Sequence, residues 1–266
     1  MRISVASESG RPDGRNEDWA GADSRVAVVL DGLSEAKETG CVHGTPWYVH
    51  QLGCRLLTLA GDENRPLAAA LAEAISDVAD LHRDTCDLDH PGSPCTTVAT
   101  IRQAGDAVEY LVLSDSVVVL DRRDSEPLVI TDKAVAAFAP GAAKAATEAG
   151  RTGDRSALNA LIHEQQKVRN RPGGYWVAQV DPEAAQQAKT GAISNVSGAA
   201  LLSDGAALLV TDFHAMDWAT LLTLAYERGP AELIAMTREF EDRDPHRVVW
   251  PRYKQRDDAT AVVCRM

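Results

Sequence analysis

Apolar residues recur along this chain in two rhythms, continuous or alternating runs that suit strands and spacings of three and four that suit helices. Ile3 to Ala6 predicts an edge strand, followed by a Gly-, Pro- and Asp-rich polar loop from Glu8 to Arg15. Val26 to Leu30 is an unbroken apolar run and predicts a core strand. From Thr45 to Leu59, residues Trp47, Val49, Leu52, Leu56 and Leu59 share a helical face, with Pro46 suited to the first turn. A second helix is predicted from Pro66 to about Cys86, with Leu67, Leu71, Ile75, Val78 and Leu81 on one face. Two consecutive amphipathic helices can cover one face of a sheet.

The middle of the chain reads as strands over Thr96 to Gln103, Val108 to Leu113, Val117 to Asp121 and Leu128 to Thr131. Their short polar joints suit antiparallel neighbours, because a parallel crossover needs a dozen or more residues. The Ala-rich stretch Lys133 to Gly153 has no clean period and reads as partly helical and partly mobile. A helix follows over Asp154 to Val168, then a Gly-rich turn, Asn170 to Trp176, entering a strand. Leu201-Leu202-Ser203-Asp204-Gly205 repeats the pattern of a strand ending in Asp-Gly. Helices over Asp217 to Tyr226 and Pro230 to Asp242 and a strand over Ala259 to Cys264 complete the reading. Strands grouped in runs, with helices paired between them, indicate an α+β layered architecture rather than a doubly wound sheet. Without an internal repeat or a low-complexity linker, residues 1–266 read as a single domain.

Composition narrows the function. The 266 residues are 45% hydrophobic, enough for a packed core. The net charge of −12 disfavours nonspecific binding to nucleic acid or to an anionic membrane. Neither a spanning apolar segment nor a signal-peptide core is present, so the expected location is soluble and cytoplasmic. Cys41, Cys54, Cys86, Cys95 and Cys264 are odd in number and lack CxxC spacing, which argues against a disulfide framework and a zinc ribbon. They read as reduced thiols, mainly small buried hydrophobes.

Acids stand at five separated points: Glu17-Asp18, Asp31, Asp115, Asp204 and Asp257-Asp258, most beside apolar segments. Hard divalent cations take oxygen ligands, and strand tips can bring isolated carboxylates to one cleft. A glycine after the acid lets the backbone approach closely and expose its carbonyl. Each acid alone has a plainer reading. Asp-Gly is a common turn, Glu17-Asp18 suits a solvated loop or helix start, and Asp257-Asp258 suits a polar lead-in to the last strand.

The ordered set Asn16-Glu17-Asp18, Val29-Leu30-Asp31-Gly32, Pro94-Cys95-Thr96-Thr97, Leu113-Ser114-Asp115-Ser116, Leu202-Ser203-Asp204-Gly205 and Asp257-Asp258-Ala259-Thr260 resembles the PPM family of protein phosphatase 2C-like metal-dependent phosphatases. The resemblance spans nearly the whole chain and implies a four-layer αββα sandwich, two antiparallel sheets flanked by helix pairs. It also implies a binuclear Mg²⁺ or Mn²⁺ centre. Asp31 would bridge the two ions, the Gly32 carbonyl would bind one, and Asp204 and Asp257 would complete the other. Glu17 and Asp18 would hold waters on the metals, and Asp115 with Asp204 would hold a third, weaker ion.

Two departures qualify that likeness. Bacterial members usually carry a phosphate-binding arginine four residues before Glu-Asp, where this chain has Asp13; Arg11 and Arg15 flank it, and Arg15 is the candidate phosphate ligand. Leu33-Ser34-Glu35 replaces the His-Gly-Gly that often follows Asp-Gly, so a proton donor for the leaving group is missing. His43 could substitute or be a structural or exposed histidine. The loop Arg169 to Trp176 falls at the family's variable flap, where it could line a substrate cleft, or leave Trp176 in the core and its arginines solvated. The resulting expectation is a phosphomonoesterase in which a water bridging two metals attacks a phosphoserine, phosphothreonine or small-molecule phosphate. The alternatives are a catalytically weak binding or regulatory module and an unrelated α+β metal-binding domain.

Overall fold

The structure is a computed structural model and describes residues 1–11, 13–35, 38–151 and 156–266. Two five-stranded antiparallel sheets face each other. One has the order β1 (Arg2–Glu8), β10 (Ala259–Arg265), β9 (Val196–Leu202), β6 (Val117–Arg122), β7 (Leu128–Ile130). The other runs β2 (Asp18–Ala22), β3 (Val26–Asp31), β4 (Val98–Ala104), β5 (Ala107–Leu113), β8 (Lys189–Ser194). Helices α1 (Thr45–Ala60) and α2 (Leu67–His82) cover the second sheet; α5 (Asp204–Thr211), α6 (Trp218–Arg228) and α7 (Pro230–Arg243) cover the first. This is the four-layer α+β sandwich that the resemblance implies.

The layering explains why the strand at Val26 is apolar throughout. Successive side chains of a strand point to opposite faces, and both faces of β3 are covered. Ala27 and Val29 pack between the sheets, whereas Val26, Val28 and Leu30 meet α1 and α2. Strands β9 and β10 divide likewise: Leu201 and Val262 lie between the sheets, Leu202 and Ala261 face the outer helices.

Several local expectations are corrected. Glu17-Asp18 leads into strand β2 rather than a solvated loop or helix, because Trp19 packs against α1 over Gly53, where a Cβ would overlap its ring. Asp204-Gly205 is the first turn of α5, with Ser203 at the extended residue before it, and not a reverse turn. Ala206, Ala207 and Leu209 bury the other face of that helix. Helix α2 ends at His82, four residues short of Cys86. The Ala-rich stretch forms a 3₁₀ turn (Ala134–Ala137) and α3 (Pro140–Gly150), which pairs with α4 (Ser156–Gln166); residues 154 and 155 of the expected helix lie outside the described residues. The segment after Asn170 makes only isolated bridges, Arg169 to Tyr175 and Thr96 to Ala178. Among the described residues no helix is long and apolar enough to cross a membrane.

Candidate metal centre

Strand pairing and helix starts bring the acids together. Asp18 at the start of β2 is the direct cross-strand partner of Asp31 at the end of β3. Asp31 Oδ2 accepts a hydrogen bond from the backbone amide of Asp204 at 3.0 Å, tying one sheet to the first turn of α5. The first amides of a helix have no partner within the helix, which makes this a natural seat for a carboxylate. Asp115 follows Ser114, whose positive φ of 69° turns the chain sharply between β5 and β6. Asp257 precedes β10. Its neighbour Asp258 is buried, accepting from the amides of Glu17 at 2.7 Å and Gly10 at 2.9 Å, and so locks the two loops beside each other.

Asp31, Gly32, Asp115, Asp204 and Asp257 line one cavity of about 280 Å³. Gly32 must be glycine for packing: a Cβ there would overlap the Glu17 carbonyl oxygen and Thr45 Cγ2. Asp18 lies behind this lining, 8% exposed, and its Oδ2 is buried without a hydrogen-bond partner among the described residues. Glu17 is also buried, its carboxylate held by Arg11 at 2.5 Å and by Arg15 at 3.6 Å. Arg15 is exposed and makes a second ion pair with Glu35 at 3.1 Å.

The electrostatics are those of acids crowded without enough positive charge. Burial, then repulsion from Asp204, Asp18, Asp257 and Asp115, raises the Asp31 carboxyl well above the ordinary range. Burial and the charges of Asp204 and Asp257 push Asp18 up to about 8. Asp204 is pushed up to about 7 by lost solvation and by Asp257 and Asp115, although it remains accessible from the cleft. Burial likewise raises Asp115, opposed by hydrogen bonding from its own amide and from Ser114. An all-oxygen donor set, an orphaned carboxylate oxygen and mutual repulsion together fit hard divalent cations such as Mg²⁺ and Mn²⁺.

The sequence reading did not identify Lys254 as part of this cluster. Its ammonium lies 2.5 Å from Asp257 Oδ1 and lines the same cavity. Burial alone would lower its pKa, but Asp257, Asp204 and Asp31 hold it above the usual lysine range. Its only sequence signal was its place three residues before Asp257. The cleft wall also differs from expectation, since Val135, Phe138, Leu158, Leu161 and Ile162 supply it from the 3₁₀ turn and α3–α4 region. Of the Arg169 to Trp176 loop, Arg169 is buried, lines the cavity and donates to Tyr175 Oη at 3.0 Å; Arg171 is exposed and Trp176 packs on the core. His43 stacks on Trp47, and its Nε2 lies 3.2 Å from the Thr85 hydroxyl; it is not among the cavity-lining residues.

No protein-family model and no curated protein matches the chain. Solved structures do. The catalytic domain of the serine/threonine phosphatase PstP in complex with two manganese ions is 19% identical, with 99% of this chain and 97% of that chain covered and a TM-score of 0.58. The Mycobacterium tuberculosis serine/threonine phosphatase PstP/Ppp is 18% identical, covering 100% and 98%, also at 0.58. Staphylococcus aureus serine/threonine phosphatase Stp1 is 14% identical over 100% and 95%, again at 0.58. At these identities the likeness establishes a shared fold, that of the PP2C-like phosphatases.

Proposed function

We propose that the chain is a metal-dependent phosphomonoesterase acting on a phosphoserine, a phosphothreonine or a small-molecule phosphate. The observation that carries this reading is the convergence of Asp31, Gly32, Asp115, Asp204 and Asp257, from separate parts of the chain, on one cavity. Asp31 and the Gly32 carbonyl, with Asp204 and Asp257, would hold two Mg²⁺ or Mn²⁺ ions, and Asp115 with Asp204 a third. When bound, such ions supply an activated water and offset charge on the phosphate oxygens. The PstP catalytic domain of the same fold holds two manganese ions, which supports that cofactor class.

The chain's own groups orient the reaction. Asp18 lies behind Asp31 with an unpartnered oxygen, and would help hold water on the metals once they are bound. Glu17, clamped by Arg11, would act through position rather than movement. Arg15 has an exposed guanidinium whose present partners are carboxylates, and a phosphate oxygen can take the place of Glu35. Leu33 and Ser34 line the cavity after Gly32, so no histidine adjoins the metal ligands there to protonate the departing alkoxide. Activated aryl phosphates should therefore be cleaved faster than phosphoserine peptides.

The test measures hydrolysis of p-nitrophenyl phosphate and phosphopeptides with Mn²⁺, Mg²⁺ or chelator, beside Asp31→Ala and Asp204→Ala. Metal-dependent turnover lost in both variants is expected. Turnover that ignores chelator and both substitutions would overturn the assignment. Mn²⁺ binding without turnover would favour the alternative, a catalytically weak binding or regulatory module, for which His43 lying off the cavity lining is the supporting observation.

A further inference from the structure

A second cluster of ligand-type side chains lies outside the acid centre, where α2 ends beside the segment leading into α1. Cys41 Sγ is 2.9 Å from Cys86 Sγ and 3.5 Å from His82 Nδ1, and all three ligand atoms lie within 4.8 Å of one another. The chain is shaped to bring them together. Helix α2 stops at His82, and the amides of Thr85 and Cys86 both return to the His82 carbonyl, at 3.1 and 2.9 Å, placing Cys86 back over the helix end. The Asp87 amide bonds the Gly40 carbonyl at 2.9 Å, holding the Cys41 segment alongside. The Val42 amide points at Cys86 Sγ at 3.4 Å, so a backbone donor favours negative charge on that sulfur.

His82 is the buried member of the cluster. It is 1% exposed, its Nδ1 faces a thiol, and its Nε2 has no hydrogen-bond partner among the described residues. Trp47 packs beside it at 5.2 Å between ring centroids, and His43, stacked on Trp47 at 4.3 Å, lies 6.2 Å from the His82 ring. A buried imidazole satisfied only by a thiol is a poor exchange for hydration, whereas an ion at Nδ1 would add a strong bond.

We propose that Cys41, His82 and Cys86 form a binding site for a thiophilic divalent cation of the Zn²⁺ type. The two sulfurs and the imidazole would be its protein ligands, and water its fourth. Zinc bound to sulfur at about 2.3 Å and to imidazole at about 2.0–2.1 Å requires a tetrahedral S···N separation of about 3.5 Å and an S···S separation of about 3.8 Å. The Cys41–His82 distance already meets the first requirement, and the sulfurs need to part by about 1 Å for the second. The choice of metal follows from the donors: thiolate and imidazole select a softer ion than the all-oxygen cluster at Asp31. The ion would fasten the start of α1 to the end of α2. Thr45, the first residue of α1, touches the surroundings of Gly32, so the fastening supports one wall of the acid centre.

The experiment uses the reduced full-length protein, Mg²⁺ in excess to keep hard-cation sites filled, and Co²⁺ as the spectroscopic probe. The site requires one equivalent of Co²⁺ to give thiolate-to-metal charge transfer in the near ultraviolet together with intense visible bands of a four-coordinate ion. Zn²⁺ should displace both. Cys41→Ser and Cys86→Ser should abolish the charge-transfer band, while Cys54→Ser and Asp204→Asn should leave it unchanged. Asp204→Asn also separates this proposal from the phosphatase reading, since it removes a ligand of the acid centre alone. A wild-type spectrum without thiolate charge transfer would overturn the site even if every cysteine variant failed to fold. So would a band that survives both serine substitutions, or loss of two titratable thiols to a disulfide under conditions where Co²⁺ is not bound.

Discussion

Gly32 shows how one residue couples packing to chemistry. Its backbone amide donates to the Glu17 carbonyl at 3.0 Å, and the space where a Cβ would sit is filled by that carbonyl and by Thr45. Gly32→Ala should therefore destabilise the protein by about 1–3 kcal/mol, as overpacking does. It should also weaken Mn²⁺ binding, because relief of the clash must move β3, the Glu17 loop or α1. Calorimetric unfolding and Mn²⁺ titration check it, and an alanine variant indistinguishable from wild type would show that the contact is soft. Lys254 makes the opposite case. Its ammonium satisfies Asp257 in the way a metal ion would, so Lys254→Met should tighten Mn²⁺ binding by removing a competing cation, measured by isothermal titration; weaker binding would mean that the lysine instead holds Asp257 in place. The convergence of Asp31, Asp204 and Asp257 was legible in the sequence because they stand in a recognisable order, Asp31 and Asp204 beside apolar runs. Lys254 was not, because a lysine in a polar loop looks solvated until the fold turns it toward three acids.

Elements were legible in proportion to how regularly they bury one face. Helices α1 and α2 show their period because Leu52, Leu56, Leu71 and Ile75 all meet the same sheet. Strand β8 did not, since its sequence Lys-Thr-Gly-Ala-Ile-Ser lies at a sheet edge with four of its six residues exposed. Helix α5 was hidden by its own first residues, which spell a turn until the strand before them ends in Ser203 and the helix begins. The join between α1, α2 and β4 depends on a residue that hydrophobic pattern reading passes over. Arg102, in β4 and 2% exposed, donates through one nitrogen to the carbonyls of Ala60, Asp62 and Arg65 at 3.0, 2.6 and 2.9 Å. Its Nε bonds the cross-strand partner Glu109 at 2.6 Å. Arg102→Met preserves most of the volume but strips the partners from three carbonyls, so a loss of about 3 kcal/mol or more is expected. Denaturant unfolding checks this, and a loss below about 1 kcal/mol would mean that water replaces the guanidinium.

At the scale of the whole molecule, the sandwich positions its acids at a cost that only positive charge offsets. Four layers bring strand ends and a helix start to one edge, and the like charges gathered there oppose folding while they are ionised. The direction of the effect follows from the shifts. Asp18, pushed up to about 8, and Asp204, pushed up to about 7, hold protons in the folded chain that an unfolded aspartate releases near pH 4. Between those values the folded state binds more protons than the unfolded one, so stability is fully present at low pH and falls as pH rises through the folded pKa values. In chelator, these groups should lower the thermal midpoint progressively from about pH 5 to about pH 8. Mn²⁺ at the proposed centre would reverse the balance, because it would favour ionised carboxylates and bind the folded state. Its stabilisation should therefore be larger at pH 8 than at pH 5. Asp204→Asn removes one of the repelling charges and one proposed metal ligand together, and should both flatten the decline in chelator and shrink the gain from Mn²⁺. Thermal scans of both proteins at the two pH values, with chelator or Mn²⁺, decide the matter. A wild-type decline that Asp204→Asn leaves untouched would place the pH dependence elsewhere in the molecule.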